Sequence, residues 1–405
     1  MKFNLTTSSL LLIFIMSCNS KKIEESNVQQ KKTLGIDLIE ALDYETTIGT
    51  NFFIDSFTYI PLEYSEKTTI RNLGKPYLIG DSILLIKGFR RIALFNKKGD
   101  YIKDIGHYGN DPGGYRNSLP KSDMSPYQTT VFAQGWKDNY IKYSLQDGKI
   151  VNSLARPKRE NNVPFKSELI IGSFTKIDSS NFLGYVVNFQ GNQPEKLVIF
   201  NDLGKLLKTY KNHQSFIDTD AVVFSPTEGD FFHYNKKTFF KEDFNDTVFE
   251  VDLNGIKAKY VFNLGDKSPP YEEKETLTFS DRVNYAFIEN IIETDEHLFF
   301  YVNYQGEKRI GIYYKLLDKT EIAKLSEMDD LNSVGLKNDI DDFIPFYPEV
   351  IQGNNIIGVT PAEVVYNWFQ SNPEKVGKLP PELRSLKDIP QDGNPVVMIG
   401  KLKTR

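Results

Sequence analysis

A short motif recurs along this chain at a spacing that few folds accommodate. It consists of an aromatic or β-branched strand end, three or four polar or turn residues that usually include glycine, and a second short strand. It reads F-N-K-K-G-D-Y-I from Phe95, Y-S-L-Q-D-G-K-I from Tyr143, F-N-D-L-G-K-L-L from Phe200, V-D-L-N-G-I-K-A from Val251 and Y-K-L-L-D-K-T-E from Tyr314. Successive starts lie 48, 57, 51 and 63 residues apart. Asparagine, aspartate and glycine favour tight turns, so each copy is a hairpin. A unit of this size cannot bury a hydrophobic face alone and must stack on its neighbours, which makes the period the mark of a repeat architecture.

Between the motifs the apolar runs last five to eight residues, are rich in Ile, Val, Phe and Tyr, and end in Gly, Asp or Asn. Helical periodicity is scarce, so the chain reads as all-β. In residues 75–106, strands at 77–79, 82–86, 91–95 and 101–105 form a four-stranded meander. Four strands per unit of about 50 residues predict a β-propeller. Five hairpins mark five blades, and a sixth is expected from 346–351, 355–359 and 396–401, closed by an early strand at 57–62. Joining the chain ends in one sheet removes edges that invite aggregation. The expectation is therefore an all-β, six-bladed propeller of four-stranded antiparallel blades. One helix is expected from Pro361 or Ala362 to about Gln370, with Val364, Val365 and Trp368 on one face, and a second over 380–386.

The first seventeen residues read as a signal peptide: Lys2, an apolar run from Leu10 to Met16, then Ser17 before Cys18. Ile15-Met16-Ser17-Cys18 resembles the bacterial lipobox, which implies acylation of Cys18 as the mature N-terminus. Several acyl chains, at ~0.8 kcal/mol per buried CH₂, would hold such a protein on a membrane. Residues 19–32 are polar and lack aromatics, as a tether does. The expected division is 1–17 signal peptide, 18–55 lipidated N-terminus and tether, and 56–405 propeller. This predicts a lipid-anchored protein of the bacterial cell envelope, on the periplasmic face of the outer membrane or on the cell surface. Lys21-Lys22-Ile23-Glu24-Glu25 loosely resembles a surface-export signal.

Four ordered stretches carry a wider resemblance. They are Tyr59-Ile60-Pro61-Leu62-Glu63, the glycine-rich run from Ile105-Gly106 through Gly109 and Pro112-Gly113 to Tyr115, Phe244-Asn245-Asp246-Thr247-Val248-Phe249, and Asn394-Pro395-Val396-Val397-Met398. With these, the chain resembles the six-bladed β-propeller lipoproteins of Bacteroidota, related in shape to NHL-repeat and TolB-type propellers, over about residues 57–403. The resemblance implies the fold and little about activity. Members usually carry glutamate where Gly114 stands, so any role of that acid is missing here.

Motifs for chemistry are sparse. A net charge of −5 gives no basic field for nucleic acid. Cys18 is the only cysteine, which excludes an intrachain disulfide, a cysteine metal site and a thiol nucleophile. The four histidines are far apart, and neither H-E-x-x-H nor G-x-S-x-G occurs. The segment 106–115 holds four glycines but no phosphate-loop lysine, so it reads as a crossover between blades. Asp339, Asp341 and Asp342 lack the glycine and glutamate of a calcium loop and read as a solvated turn. No metal, cofactor or catalytic residue is expected.

The loops between the second and third strand of each blade are more informative, because in a propeller they share a face with the blade-to-blade crossovers. They are Lys87-Gly88-Phe89-Arg90, Gln134-Gly135-Trp136, Asn188-Phe189-Gln190-Gly191 and Asn303-Tyr304-Gln305-Gly306. Each sets an aromatic beside a polar or cationic group, a mixture suited to a sugar or peptide chain. His107, Arg116 and Arg282 fall in crossovers of the same face. The candidate ligand-binding residues are thus Arg90, His107, Arg116, Trp136, Phe189, Gln190, Arg282, Tyr304 and Gln305. They predict a binding or scaffold module for a glycan, peptide or envelope protein. The alternative is a polysaccharide- or peptide-acting lyase or hydrolase using His107, Arg116 and Arg282 at the channel mouth.

Overall fold

The computed structural model describes residues 33–70, 74–80, 83–87, 90–118, 129–137, 139–159, 169–217, 228–323 and 335–403. Cys18 and the whole expected signal and lipobox lie outside them.

The repeated motif folds as a hairpin for a shared local reason. Asn96 Oδ1 accepts hydrogen bonds from the backbone N–H of Lys98 (2.8 Å) and Asp100 (3.0 Å). Asn201 Oδ1 does the same for Leu203 and Lys205, and Asp252 Oδ1 for Asn254 and Gly255. The side chain thus replaces backbone partners lost at the turn. Gly99, at φ +92°, completes the first hairpin, and a Cβ there would lie 1.9 Å from the Pro61 carbonyl oxygen.

These hairpins build antiparallel sheets in sequence order. The first sheet holds Lys75–Ile79, Ile83–Lys87, Ile92–Asn96 and Tyr101–Asp104, and the second Thr130–Gln134, Asn139–Ser144 and Ile150–Ala155. The third holds Ile171–Lys176, Asn181–Val186, Glu195–Asn201 and Leu206–Lys211. The fourth holds Gly229–Tyr234, Lys237–Glu242, Thr247–Val251 and Ile256–Asn263, and the fifth Phe287–Glu293, His297–Tyr304, Glu307–Tyr314 and Lys319–Ile322. The closing sheet joins Pro348–Gln352, Asn355–Thr360 and Val396–Leu402 to the early strand Ile54–Pro61, which pairs antiparallel with Val396–Leu402. The expected closure between chain ends is therefore present, and the architecture is an all-β propeller.

Two expectations are corrected. Among the described residues, five sheets have the four or more strands of a blade, rather than six. The second sheet has three, because its innermost place is held by a single bridge between Asn117 and Gln134 (Gln134 N to Asn117 O, 2.7 Å). Residues 119–128, which lead into its first strand, lie outside the described residues. The second correction moves the start of the fold. Leu34–Asp37 pairs in parallel with Tyr260–Asn263 as a fifth strand of the fourth sheet, so residues 34–55 are structured rather than tether.

From that strand the chain runs along the outside of the molecule. Thr46 N bonds Ile322 O (2.9 Å) at the fifth sheet, and Thr50 N bonds Lys337 O (2.9 Å) before the chain enters the closing sheet. Asp339 Oδ1 accepts from Asn51 N (2.7 Å), and Asp341 from the Tyr59 hydroxyl (2.8 Å). The acidic cluster therefore pins this strap.

The core lies between sheets. Tyr77, Ile92 and Leu94 meet Val131, Ala133 and Tyr143, while Phe132 and Tyr140 meet Phe174, Phe182 and Phe200. Similar clusters join the third sheet to the fourth, the fourth to the fifth, the fifth to the closing sheet, and the closing sheet to the first. Phe132 packs edge-on to Phe174 (5.5 Å, 74°) and Phe182 (5.6 Å, 90°). Such pairs add about 0.5–1.5 kcal/mol each beyond area burial. The expected helices are found at Ala362–Ser371 and Pro381–Arg384, the latter followed by a 3₁₀ turn at Ser385–Asp388. The first buries Val365, Trp368 and Phe369 against the closing sheet.

Candidate functional site

The glycine-rich crossover after the first sheet folds into a compact loop. Gly106 turns the chain at φ +60°, where a Cβ would press to 2.7 Å from the Tyr143 ring. His107–Tyr108 then pairs in parallel with Gly114–Tyr115, and Gly114 N bonds Asp111 O (2.9 Å). A Cβ on Gly114 would stand 2.2 Å from the Gly109 carbonyl oxygen, so the loop as folded has no room for the glutamate that the resemblance leads one to expect.

This loop and the neighbouring turn of the second sheet bring four candidate residues together. The Trp136 indole donates to Gly109 O (2.7 Å), which fixes the ring while leaving it 42% exposed. Tyr108, 43% exposed, lies 6.4 Å from it at a tilt of 55°. The Arg90 guanidinium sits 4.7 Å over Tyr108, and that of Arg116 6.0 Å over Trp136. The result is a ladder of cation, aromatic, aromatic and cation on the surface. Beside it, His107 Nε2 meets both carboxylate oxygens of Asp111 at 2.8 Å, and that hydrogen bond holds the Asp111 carboxyl below its ordinary range.

The other candidates are placed elsewhere. Phe189 and Gln190 are exposed on the third sheet's turn. Arg282 is half-buried, donating through Nη2 to Lys274 O (3.2 Å) with its guanidinium 5.5 Å over Phe244. Tyr304 is buried, with Arg309 5.8 Å over its ring and bonded to its carbonyl. Gln305 is a turn residue at φ +57°.

Two polar groupings were not anticipated from the sequence. The first is a buried network between the third and fourth sheets. The Tyr185 hydroxyl bridges Glu228 (2.6 Å) and Glu242 (2.9 Å). Lys274 donates to Glu228 (2.6 Å), and Lys196 to Glu242 and to Gln214 Oε1 (2.5 Å). Burial raises the Glu228 carboxyl despite Lys274 beside it, and raises the Tyr185 hydroxyl well above its usual range. The only structural clue to this pairing is register: Gly229 faces Glu242 across two strands.

The second is a small cleft that opens among innermost strands, lined by Lys75, Asp230, Lys241, Asp243, Glu289 and Asn290 among others. Lys75 Nζ reaches Asp230 at 3.6 Å, joining the first sheet to the fourth. Nearby, Asn290 Nδ2 donates to Glu349 Oε2 (3.2 Å). Burial raises Glu349, with Lys75 and Lys308 opposing, and burial lowers Lys241. Among the described residues no three His, Cys, Asp or Glu side chains converge as a metal site, and no helix is long and apolar enough to cross a membrane.

Stacked antiparallel sheets, closed between the two ends of the chain and carrying an exposed cation–aromatic cluster, define the class: a β-propeller with polar loops. Within that class the chain belongs to the family described as domain of unknown function DUF4934, whose profile matches residues 34–401. The crystal structure of a putative exported protein from Bacteroides fragilis is similar, with a TM-score of 0.63 and 15% identity, covering 92% of this chain and all of that one. At this identity the likeness concerns the fold alone. Structures of U3-55K (TM-score 0.43, 9% identity, 84% of this chain and 98% of that one) and of the RRP9 WD40 repeats (0.44, 8%, 89% and 100%) resemble it more loosely. No curated protein matches the chain.

Proposed function

We propose that this protein is an envelope-anchored binding propeller that captures a glycan, peptide or partner protein on the face carrying the Arg90–Tyr108–Trp136–Arg116 ladder. The observation that carries the reading is the pinned indole of Trp136. A large aromatic held at 42% exposure by a 2.7 Å hydrogen bond gives up apolar burial while keeping a fixed shape, which is how a preorganised contact surface is built. A glycan and peptide binding screen on the full chain in detergent tests it, with Trp136→Ala and Arg116→Ala as controls. Ligands whose binding neither substitution weakens would place the site elsewhere.

Three finer readings accompany this. The three-stranded second sheet is a sixth blade whose innermost strand is reduced to the Asn117 bridge, which keeps the NHL- and TolB-like shape. Its support is that buried hydrophobic clusters join it to both neighbours, as they join every other pair. Export fits the name of the Bacteroides fragilis neighbour, a putative exported protein. Anchoring through lipid on Cys18 rests on the lipobox-like sequence. Labelling cells with a clickable palmitate analogue should mark the wild-type chain and not Cys18→Ala; equal labelling of both overturns the anchor.

A specific observation also favours catalysis as a second reading. Asp230, Asp243 and Glu289 share one cleft with Lys75, and burial raises the carboxyl of Glu349, which Asn290 of the same cleft contacts at 3.2 Å. A carboxylic acid of that kind can donate a proton to a leaving group. Glycan or peptide turnover that survives Glu349→Gln unchanged would remove this reading.

A further inference from the structure

The ladder between the first and second sheets has a chemical polarity that narrows its ligand. Its middle is apolar: the faces of Tyr108 and Trp136, tilted by 55°. The indole's one donor is already bonded to Gly109 O, so this ring offers a ligand only its π face and edge. That suits the C–H face of a sugar ring better than a peptide backbone, which needs donors and acceptors. The ends of the ladder are cationic. Among the described residues the Arg116 side chain makes no ion pair, although this chain carries a net charge of −5 and three other arginines are matched to carboxylates. Arg91 holds Asp104 at 2.7 Å, Arg159 holds Glu195 at 2.6 Å, and Arg309 is paired with Glu45 and Glu307. A guanidinium held over an aromatic ring with no acidic partner keeps its N–H donors for an anion, and the planar fork can read a carboxylate or sulfate in bidentate fashion.

We propose that the Arg90–Tyr108–Trp136–Arg116 ladder is a subsite for an anionic sugar chain. A pyranose ring packs on the Trp136 and Tyr108 faces, and its carboxylate or sulfate group is taken by Arg116. The proposal rests on the reading of this face as a binding surface and adds the class of ligand. Arg116 sets the preference for charge, and the aromatic pair sets the affinity for the ring.

The test is calorimetric titration of the full chain in detergent with four probes and one control. The probes are oligogalacturonate and its methyl ester, and a chondroitin sulfate oligomer and its desulfated, carboxyl-esterified form. The control is a poly-glutamate peptide. One or both anionic oligomers should bind at least tenfold more tightly than their neutral counterparts, and oligogalacturonate, which carries carboxylates and no sulfate, shows whether a carboxylate suffices. Arg116→Ala should abolish that preference while leaving the weak neutral binding. Arg116→Lys, which keeps the charge without the fork, should restore only part of it. Trp136→Ala should weaken charged and neutral sugars alike. Neutral sugars binding as well as anionic ones would overturn the proposal and leave the binding face standing. Binding of poly-glutamate but no sugar would overturn it in favour of an acidic peptide. No preference for any probe, with Arg116→Ala and Trp136→Ala indistinguishable from wild type, would remove both the proposal and the binding reading of this face.

Discussion

The seam between the first and second sheets and the seam between the third and fourth carry similar chemistry in opposite states. Each brings aromatic rings, cations and at least one carboxylate to a crossover. At the first seam the rings of Tyr108 and Trp136 stay in solvent, and the Arg116 side chain has no acidic partner among the described residues. At the second seam Lys196, Lys274, Glu228 and Glu242 are buried, and each holds an opposite charge within 2.6 Å. The physical difference is water. A buried charge left unpaired costs several kcal/mol, so burial forces neutralisation. An exposed charge is screened and can stay available for something outside the protein. Burial therefore separates a polar cluster that must be neutralised within the fold from one left open to solvent.

The largest expected effect breaks the buried seam. Glu242→Ala removes the partner of Lys196 and one of the two acceptors of the Tyr185 hydroxyl, and should cost about 3–5 kcal/mol by denaturant unfolding, the usual result of orphaning a buried charge. Replacing both partners, Glu242→Leu with Lys196→Met, should recover part of that loss, because no charge then stays buried alone. A single-variant loss below about 1 kcal/mol would mean that water reaches this seam and that the contrast between the two regions is false.

The contrast was half legible in the sequence. Repeat and hairpin were visible because Asn96, Asn201 and Asp252 act locally, bonding backbone two to four residues on. The helix at Ala362–Ser371 announced itself through Pro361, and the closing strand through its aromatic and β-branched run. What stayed hidden depends on long-range pairing. Leu34–Asp37 is a four-residue stretch whose partner lies more than 200 residues away. Glu228 and Glu242 look like surface charges until register sets them beside Tyr185. At the exposed seam, Arg90, Arg116 and Trp136 were visible as loop residues, yet the bond from Trp136 to Gly109 that fixes the indole beside the crossover spans 27 residues. The three-strand count of the second sheet has the converse origin: local pattern announces a full blade, and among the described residues pairing leaves only the Asn117 bridge beside its first strand.

Intermediate effects sharpen the comparison at places where burial is partial. Asp339→Ala removes the acceptor for Asn51 N and the Thr50 hydroxyl, and should cost roughly 1–2 kcal/mol. Hydrogen exchange should locate the loosening at residues 45–53; exchange unchanged there would mean that the strap is held by its backbone bonds alone. Glu349 tests the pH dependence. Its folded carboxyl lies above the ordinary 4.5, chiefly through burial, so its contribution to stability is fully present below about that pH and is lost as pH rises through the elevated value. Glu349→Gln should therefore gain in stability relative to wild type as pH is raised from 4.5 toward neutrality. A difference that stays constant across that range would show that the shift is not there.

The smallest stability effect is the most telling. Trp136→Ala deletes a large ring, and in a core such a change costs about 3–5 kcal/mol. Here the ring is 42% exposed, and its packing partners are Tyr108 and the Arg116 guanidinium at the surface. The loss should be one hydrogen bond, to Gly109 O, and partial burial, together about 1 kcal/mol or less, with an unfolding midpoint close to wild type. Binding to the loop face should fall at least tenfold in the same variant. A large loss of stability with binding retained would make Trp136 a structural residue like Tyr185, and the two seams would then differ in exposure without differing in use.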